Sequence, residues 1–560
     1  MTTSSSRPWL ATYEKLGLDW HNIPDAPLKT LSDYVRDHSQ GYADREALVY
    51  LTQGISYQQL NRLVDQFANL LLSLGCQKGD VLGLQLPNTP QYMIGFIAAS
   101  RLAMVATSIS PLMTPPEIAY QANDSKIRVL VTLEPLYQAT VKAAAPNIPT
   151  LKHILVAGPT DHAVGLPSLP AFEEQIGDIQ VSSYIDKLEA AATDEVRAEV
   201  SLDEILYLQY TGGTTGMPKG AKLSSRNLFT NNIQVDVFYG YRTGMEVVAS
   251  AFPLFHIGGA AVGFNALRTA STLVLIPDPR NIDHFVAEMT ARTPTILAAV
   301  PALFQMLCQH EGFRKLDFSQ LSTAVSGAAP FAEEEVRKLG DIIGHGKFCE
   351  VYGMTETSPV QTLNPAKIFK PSFVGVPIPG CEVRIVDAED GKTEMPLGEP
   401  GEIIVSGPQV MSGYLELPDA TAKALRQMDG KTWMYTGDIG FMDEDGFVKV
   451  CDRSKDMLIV GGYKVFSVEV ETRVQGLDWV AMCAVVGRPD EARPGNDIVQ
   501  LYLQLMPGES RSEEVLREEV VAFCRANLSP YKVPREVFFV DAIPLTSVGK
   551  IDKKVLRQSA

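Results

Sequence analysis

Short β-rich apolar runs that alternate with helix-length amphipathic stretches leave this chain few folds to adopt. The runs at 81–86, 129–132, 273–276 and 296–300 are each about a strand long and mostly apolar, as expected of strands buried on both faces. Ser56 and Gln59 have capping-box spacing, and Leu60, Leu63, Val64, Phe67, Leu70, Leu71 and Leu74 follow at helical intervals up to Gly75. This alternation predicts an α/β body of layered parallel sheets clad by helices. After about residue 380 the pattern changes. Segments 381–386 and 402–406 flank an acidic Gly/Pro loop, and Asp445-Gly446 marks a tight turn, so a small β-rich lobe is expected. Beyond Asp452, strand patterns at 480–486, 498–505 and 536–540 and a helix at 512–527 predict a compact α+β unit. We expect an N-terminal domain over residues 1–454 and a C-terminal domain over 455–560, sizes in keeping with such an arrangement.

With 560 residues, 45% of them hydrophobic, the chain has material for more than one core. A formal net charge of −17 argues against nucleic acid as its main partner, because phosphate binding at scale needs a basic surface, and leaves room for a local basic pocket. The seven cysteines (Cys76, Cys308, Cys349, Cys381, Cys451, Cys483 and Cys524) contain no Cys-x-x-Cys pair. They suggest neither a zinc ribbon nor a disulfide framework, and they fit a reducing cytoplasm. The N-terminus has no apolar signal region, and the most membrane-like stretch, 92–109, carries Arg101 in its middle. That stretch reads as a buried helix; peripheral membrane contact and a homodimer stay open.

The segment Tyr210-Thr211-Gly212-Gly213-Thr214-Thr215-Gly216-Met217-Pro218-Lys219-Gly220 follows a strand-like run at 205–210. Glycines allow backbone N–H groups to turn inward, threonines add hydroxyls and Lys219 adds a cation, a combination suited to polyphosphate. The spacing is not that of a Walker loop. Taken alone, such a stretch reads equally well as a surface loop.

The string resembles the phosphate loop of the adenylate-forming superfamily, which includes acyl-CoA synthetases, luciferases and the adenylation domains of peptide synthetases. The resemblance extends over nearly the whole chain. Val351-Tyr352-Gly353-Met354-Thr355-Glu356-Thr357 is similar to the family's nucleotide and metal motif. It implies that Tyr352 stacks on adenine, Thr355 bonds the α-phosphate and Glu356 holds Mg²⁺ brought with ATP. Ser326-Gly327-Ala328-Ala329-Pro330 resembles the adenine wall, with Gly327 and Ala328 against the base. Tyr435-Thr436-Gly437-Asp438 matches the ribose motif, and the resemblance implies a second ribose or phosphate contact from Asp452-Arg453. In the C-terminal segment 544–551, Lys550 matches the lysine that bridges carboxylate and α-phosphate during adenylation. The family's C-terminal domain is a mobile lid; its pivot corresponds to Lys455, and Gly461 and Gly462 would line the channel for coenzyme A. Two departures stand out: Ser467 replaces a common proline, which is expected to loosen the lid loop, and Gly495-Asn496-Asp497 replaces a Gly-Glu pair.

Pro253-Leu254-Phe255-His256-Ile257-Gly258-Gly259 lacks the aspartate with which amino-acid-activating relatives bind an ammonium group. It resembles fatty-acyl and aryl CoA ligases, and it implies that His256 lies between acyl pocket and thiol entry; a structural histidine is the alternative. Acetyl-CoA synthetases carry tryptophan in place of Gly353, so glycine is expected to leave the acyl pocket open. Arg7-Pro8-Trp9-Leu10, Tyr13 and Leu86-Pro87-Asn88-Thr89-Pro90 look most like bacterial medium- or long-chain fatty-acyl-CoA ligases. The expectation is therefore an ATP-dependent ligase that forms acyl-AMP and then acyl-CoA, with Lys550, Thr355, Glu356 and His256 as catalytic candidates. The rivals are an aryl-CoA ligase, an acyl-AMP ligase that loads a carrier protein, and a non-catalytic scaffold.

Overall fold

A computed structural model of the protein describes residues 7–23, 28–211, 217–329, 331–461, 463–545 and 551–558. Two large sheets form the body. The eight-stranded sheet runs Lys219–Ser224, Ile205–Thr211, Val105–Ser108, Val81–Gln85, Ile127–Leu133, His153–Ala157, Ile179–Ser183, Glu173–Ile176. Its six inner strands are parallel and its two edges antiparallel. In the nine-stranded sheet, six consecutive strands from Phe348–Gly353 to Glu46–Tyr50 are parallel. The expected strands are thus present, and the expected helix is Tyr57–Ser73 with the Ser56/Gln59 capping box formed.

Helix Pro90–Arg101 is buried along its whole length. Its Phe96 ring lies 4.2 Å from Phe264 of helix Ile257–Arg268 and 5.0 Å from Tyr207 of the eight-stranded sheet. Arg101, only 2% exposed, is tolerated there because it meets Asp65 Oδ1 at 2.5 Å, Asn61 Oδ1 at 2.7 Å and Ser32 Oγ at 2.9 Å. Removing one partner of such a pair typically costs about 3–5 kcal/mol. Among the described residues no helix is long and apolar enough to cross a membrane.

The β-rich lobe consists of Glu382–Val386, Gly401–Ser406, Lys431–Met442, Leu425–Met428 and, beside Lys431–Met442, Val448–Arg453. The C-terminal unit carries the hairpin Leu458–Val460/Tyr463–Val465 and a sheet of Val480–Pro489, Asp497–Leu505 and Glu536–Phe539. It has its own core, in which Leu458, Val470, Val485, Leu501, Leu516 and Val520 meet.

Candidate active site

Strands Ile205–Thr211 and Lys219–Ser224 form a hairpin that pairs Thr211 with Lys219, so the phosphate loop connects two antiparallel neighbours. Gly212, Gly213, Thr214 and Thr215 lie outside the described residues. Both ends of the loop are tied to one face of helix Pro115–Ser125: Tyr210 donates its hydroxyl to Asp124 Oδ2 at 2.5 Å, and Tyr120 donates to the Pro218 carbonyl at 3.1 Å. Residues 120 and 124 share that face because helical neighbours recur four apart.

Strands Thr323–Gly327 and Phe348–Gly353 are parallel and pair Gly327 with Val351, so their C-terminal ends open at the same place. A Cβ on Gly327 would come within 2.8 Å of Val351 Cγ2, and Ala328 adopts φ +71°. Only small residues fit such a turn cheaply. Two strand ends of a parallel sheet, meeting beside a loop, form the usual crevice for a ligand in α/β proteins.

Tyr352 donates its hydroxyl to Asp438 Oδ2 at 2.6 Å, while Arg453 Nε lies 3.1 Å from Asp438 Oδ1. Asp438 and Arg453 are cross-strand partners in the β-rich lobe. Thr436 Oγ1 accepts from the Asp438 backbone N–H at 3.1 Å and steadies the turn. Thr355 and Glu356 follow in the same chain segment, and both are buried. Glu356 Oε1 accepts the Tyr414 hydroxyl at 2.7 Å, and burial pushes its pKa above the ordinary carboxylate value. Lys219 Nζ stands 5.0 Å from the centre of the same Tyr414 ring. Tyr352, Asp438 and Arg453 are thus brought together, as are Lys219 and Glu356, the latter pair through a tyrosine the sequence reading missed.

His256 caps helix Ile257–Arg268, with Nδ1 accepting from the Gly258 N–H at 3.2 Å. The preceding Phe255 carbonyl accepts from Gln209 Nε2 at 3.2 Å, which ties this segment to the strand leading into the phosphate loop. Asn88 holds the same segment from the other side, accepting from Leu254 N–H at 2.7 Å and donating to the Phe252 carbonyl at 3.0 Å. An apolar cluster of Phe252, Ala298 and Val325, with Tyr239, Val262, Val300 and Val351 around it, adjoins these elements.

Three expectations need correction. First, a Cβ on Gly353 would lie 1.9 Å from the Pro359 carbonyl oxygen. The glycine admits neighbouring backbone there, and its missing side chain does not hold pocket volume open. Second, Asp452 faces away from Asp438: its Oδ2 accepts both the N–H and, at 2.7 Å, the hydroxyl of Ser467. Asp452 Oδ2 is thus taken by Ser467, and of the two neighbours only Arg453 meets Asp438. Third, Ser467 fastens the start of the C-terminal unit where a loosened loop was expected. Lys553 Nζ donates to Ser467 Oγ at 2.5 Å and meets Glu471 at 2.7 Å, which makes a buried network of Asp452, Ser467, Lys553 and Glu471.

Lys455 sits in the turn after Asp452, where Ser454 N–H reaches the Gly437 carbonyl at 2.9 Å. Partial desolvation and the positive charge of Arg453 lower its pKa to about 8, although one face is exposed. Gly461 has φ +61° and donates to Asn496 Oδ1 at 2.6 Å, while Ile459 N–H donates to Asp497 Oδ2 at 2.8 Å. The unusual Asn496-Asp497 pair therefore braces the 458–465 hairpin. Gly462 and Lys550 lie outside the described residues.

The AMP-binding enzyme family model matches residues 35–415, and the model of the AMP-binding enzyme C-terminal domain matches residues 469–550. The chain belongs to the AMP-binding enzyme family. This AMP-binding enzyme is 33% identical to a long-chain-fatty-acid–CoA ligase of Escherichia coli O6:H1, over 95% of each chain. It is 32% identical to the enzyme of the same name from Bacillus subtilis, over 99% of this chain and 98% of that one. A feruloyl-CoA synthase of an Amycolatopsis species is 33% identical over 90% of this chain and 94% of its own. Among solved structures, the anthranilate CoA ligase AuaEII in complex with anthranoyl-AMP superposes with a TM-score of 0.82 at 26% identity, over 96% of this chain and 99% of that one. ATP-bound MatB from Rhodopseudomonas palustris gives a TM-score of 0.80 at 27% identity, over 95% and 99%. The observed layering of sheets, β-rich lobe and C-terminal unit is that of these ligases.

Proposed function

We propose that this protein activates an apolar carboxylic acid, a medium- or long-chain fatty acid, in two steps. In the first, an acid oxygen attacks the α-phosphorus of ATP and pyrophosphate leaves; in the second, the thiolate of coenzyme A attacks the acyl carbon and AMP leaves. The observation that carries this reading is the convergence of Gly327-Ala328, Tyr352, Asp438 with Arg453, and Glu356 with Lys219 around the C-terminal ends of two parallel strands.

On this reading Gly327 and Ala328 present backbone to adenine and Tyr352 covers its face. Asp438 accepts from the ribose hydroxyls with lone pairs left over from Tyr352 and Arg453. Lys219, the phosphate-loop residues 211–215 and Thr355 hold phosphate oxygens, and Lys550 offsets the repulsion between carboxylate and α-phosphate as they approach. Glu356 fits a magnesium ion: it is a buried carboxylate that forms no ion pair among the described residues, and one carboxylate plus substrate phosphates is normal magnesium coordination. On this reading the ion is brought with ATP, one carboxylate and the substrate phosphates completing its coordination. Bound there, it would neutralise charge on the leaving pyrophosphate. Likeness to the long-chain-fatty-acid–CoA ligases of Escherichia coli and Bacillus subtilis supports a fatty acid as the substrate. Gly461 and Gly462 would border the pantetheine path in the second step. The free thiols of Cys76, Cys308, Cys349, Cys381, Cys451, Cys483 and Cys524 support a cytoplasmic setting.

The test is ATP–pyrophosphate exchange with a panel running from acetate through octanoate to oleate, with ferulate and anthranilate beside them, followed by addition of coenzyme A. Exchange that grows with aliphatic chain length, and a thioester product, are expected. Maximal exchange with the aromatic acids would replace the fatty-acid reading with the aryl one. Release of acyl-AMP that coenzyme A cannot consume would favour a carrier-protein acceptor.

A further inference from the structure

Between the phosphate-loop lysine and the buried carboxylate stands a side chain to which no role is yet attached. Tyr414 is 7% exposed, its hydroxyl donates to Glu356 Oε1 at 2.7 Å, and its ring carries Lys219 Nζ at 5.0 Å from its centre. Its own segment is stitched to both sides. Leu415 N–H reaches the Gly220 carbonyl at 2.8 Å, Lys222 N–H reaches the Gly413 carbonyl at 2.9 Å, and Met411 N–H reaches the Glu356 carbonyl at 2.8 Å. Ala221 and Tyr414 pair as an isolated β-bridge. The tyrosine is therefore fixed relative to the strand after the phosphate loop and to the turn that bears Glu356.

An ammonium at the ring of this tyrosine and a carboxylate at its hydroxyl attract each other. Without something between them they would close into a direct ion pair, and both would be lost to ligands. In the structure Lys219 and Glu356 form no such pair, and the aromatic ring lies at the cation while the hydroxyl holds one carboxylate oxygen. We propose that Tyr414 is a positioning residue for nucleotide and metal binding: its hydroxyl fixes Glu356 by one oxygen so that the other is presented to a divalent cation, while its ring keeps Lys219 apart for phosphate. The inference rests on the reading of Glu356 and Lys219 as the metal and phosphate contacts of this site.

The experiment is calorimetric titration of ATP into the full chain at a series of Mg²⁺ concentrations, without acid or coenzyme A, so that binding and not turnover is measured. Tyr414→Phe keeps the ring and its packing and deletes only the hydroxyl. A hydrogen bond to a charged group is worth enough to change affinity roughly tenfold or more. The Mg²⁺ concentration for half-maximal ATP binding is expected to rise by about that factor in Tyr414→Phe, with metal-free ATP binding nearly unchanged. In a Glu356→Gln background, which shifts the Mg²⁺ dependence by itself, adding Tyr414→Phe should change nothing further, since coupled groups are non-additive. That comparison remains valid if Tyr414→Phe lowers stability. A wild-type Mg²⁺ dependence in Tyr414→Phe, or an undiminished effect of Tyr414→Phe in the Glu356→Gln background, would overturn the proposal while leaving the site reading intact. A Glu356→Gln protein with unchanged Mg²⁺ dependence would instead overturn the metal reading, and the role of Tyr414 with it.

Discussion

At the scale of single residues, charge placed in a dry cleft decides most of the chemistry. Lys550 is expected to act only while carboxylate and phosphate approach each other. Lys550→Ala should therefore lose about 100- to 1,000-fold in pyrophosphate exchange while still passing the acyl group of preformed acyl-AMP to coenzyme A; normal exchange would remove Lys550 from the mechanism. Glu350 makes a second case. It is 5% exposed, pairs in register with Ser326, and accepts from the Phe331 N–H at 3.3 Å. Burial raises its pKa from the ordinary 4.5 to about 7. Between those values the native protein keeps a proton that the unfolded chain has released, so stability declines as pH rises through the window. Glu350→Gln abolishes that decline. Relative to wild type, its stability should be equal near or below the lower value and gain up to about 3 kcal/mol above the higher; denaturant titrations at about pH 5 and about pH 8 check it. Gly327, Tyr352, Glu356 and Asp438 were legible because each lies in a short contiguous string. Tyr414 was not, since its partners Lys219 and Glu356 are far away in sequence and only the fold brings them to it.

At the scale of elements, alternation of strand and helix patterns located the parallel sheets, and the capping box located the start of helix Tyr57–Ser73. The hairpin that carries the phosphate loop escaped, because glycine-rich sequence hides the pairing of Thr211 with Lys219. Ser467 was misread for a related reason. A residue judged by what it replaces says nothing about Asp452, which waits fifteen positions upstream with a buried carboxylate. Proline at that position is sterically acceptable, because Ser467 opens helix Ser467–Val474 and the first turn tolerates it. It would nevertheless delete both donors to Asp452. Ser467→Pro is therefore expected to destabilise the junction by about 1–3 kcal/mol, seen as faster hydrogen exchange in helix Ser467–Val474. Ser467→Ala, which keeps the N–H, should lose less. Equal exchange in all three proteins would show that the network does not fasten the junction.

At the scale of the whole molecule, Lys455 is the expected pivot between the body and the C-terminal unit, about which the two half-reactions would use two relative orientations. Proline fixes φ near −65°, so Lys455→Pro should still form acyl-AMP but fail to deliver the acyl group to coenzyme A. Equal loss in both half-reactions, or in neither, would dismiss a pivot at this position. Asp452 and Arg453 are consecutive residues of strand Val448–Arg453, and they face opposite ways: Arg453 joins Asp438 at the nucleotide site, and Asp452 holds Ser467 at the root of the C-terminal unit. A single peptide unit thus has one side chain on each side of the strand, so a nucleotide that drew Arg453 toward itself would also move the anchor of Asp452. Thermodynamic reciprocity would then work in both directions: the factor by which AMP favoured one orientation of the C-terminal unit would be the factor by which that orientation tightened its grip on AMP. Product retention and domain posture are on this account one equilibrium, read from two ends of the same strand.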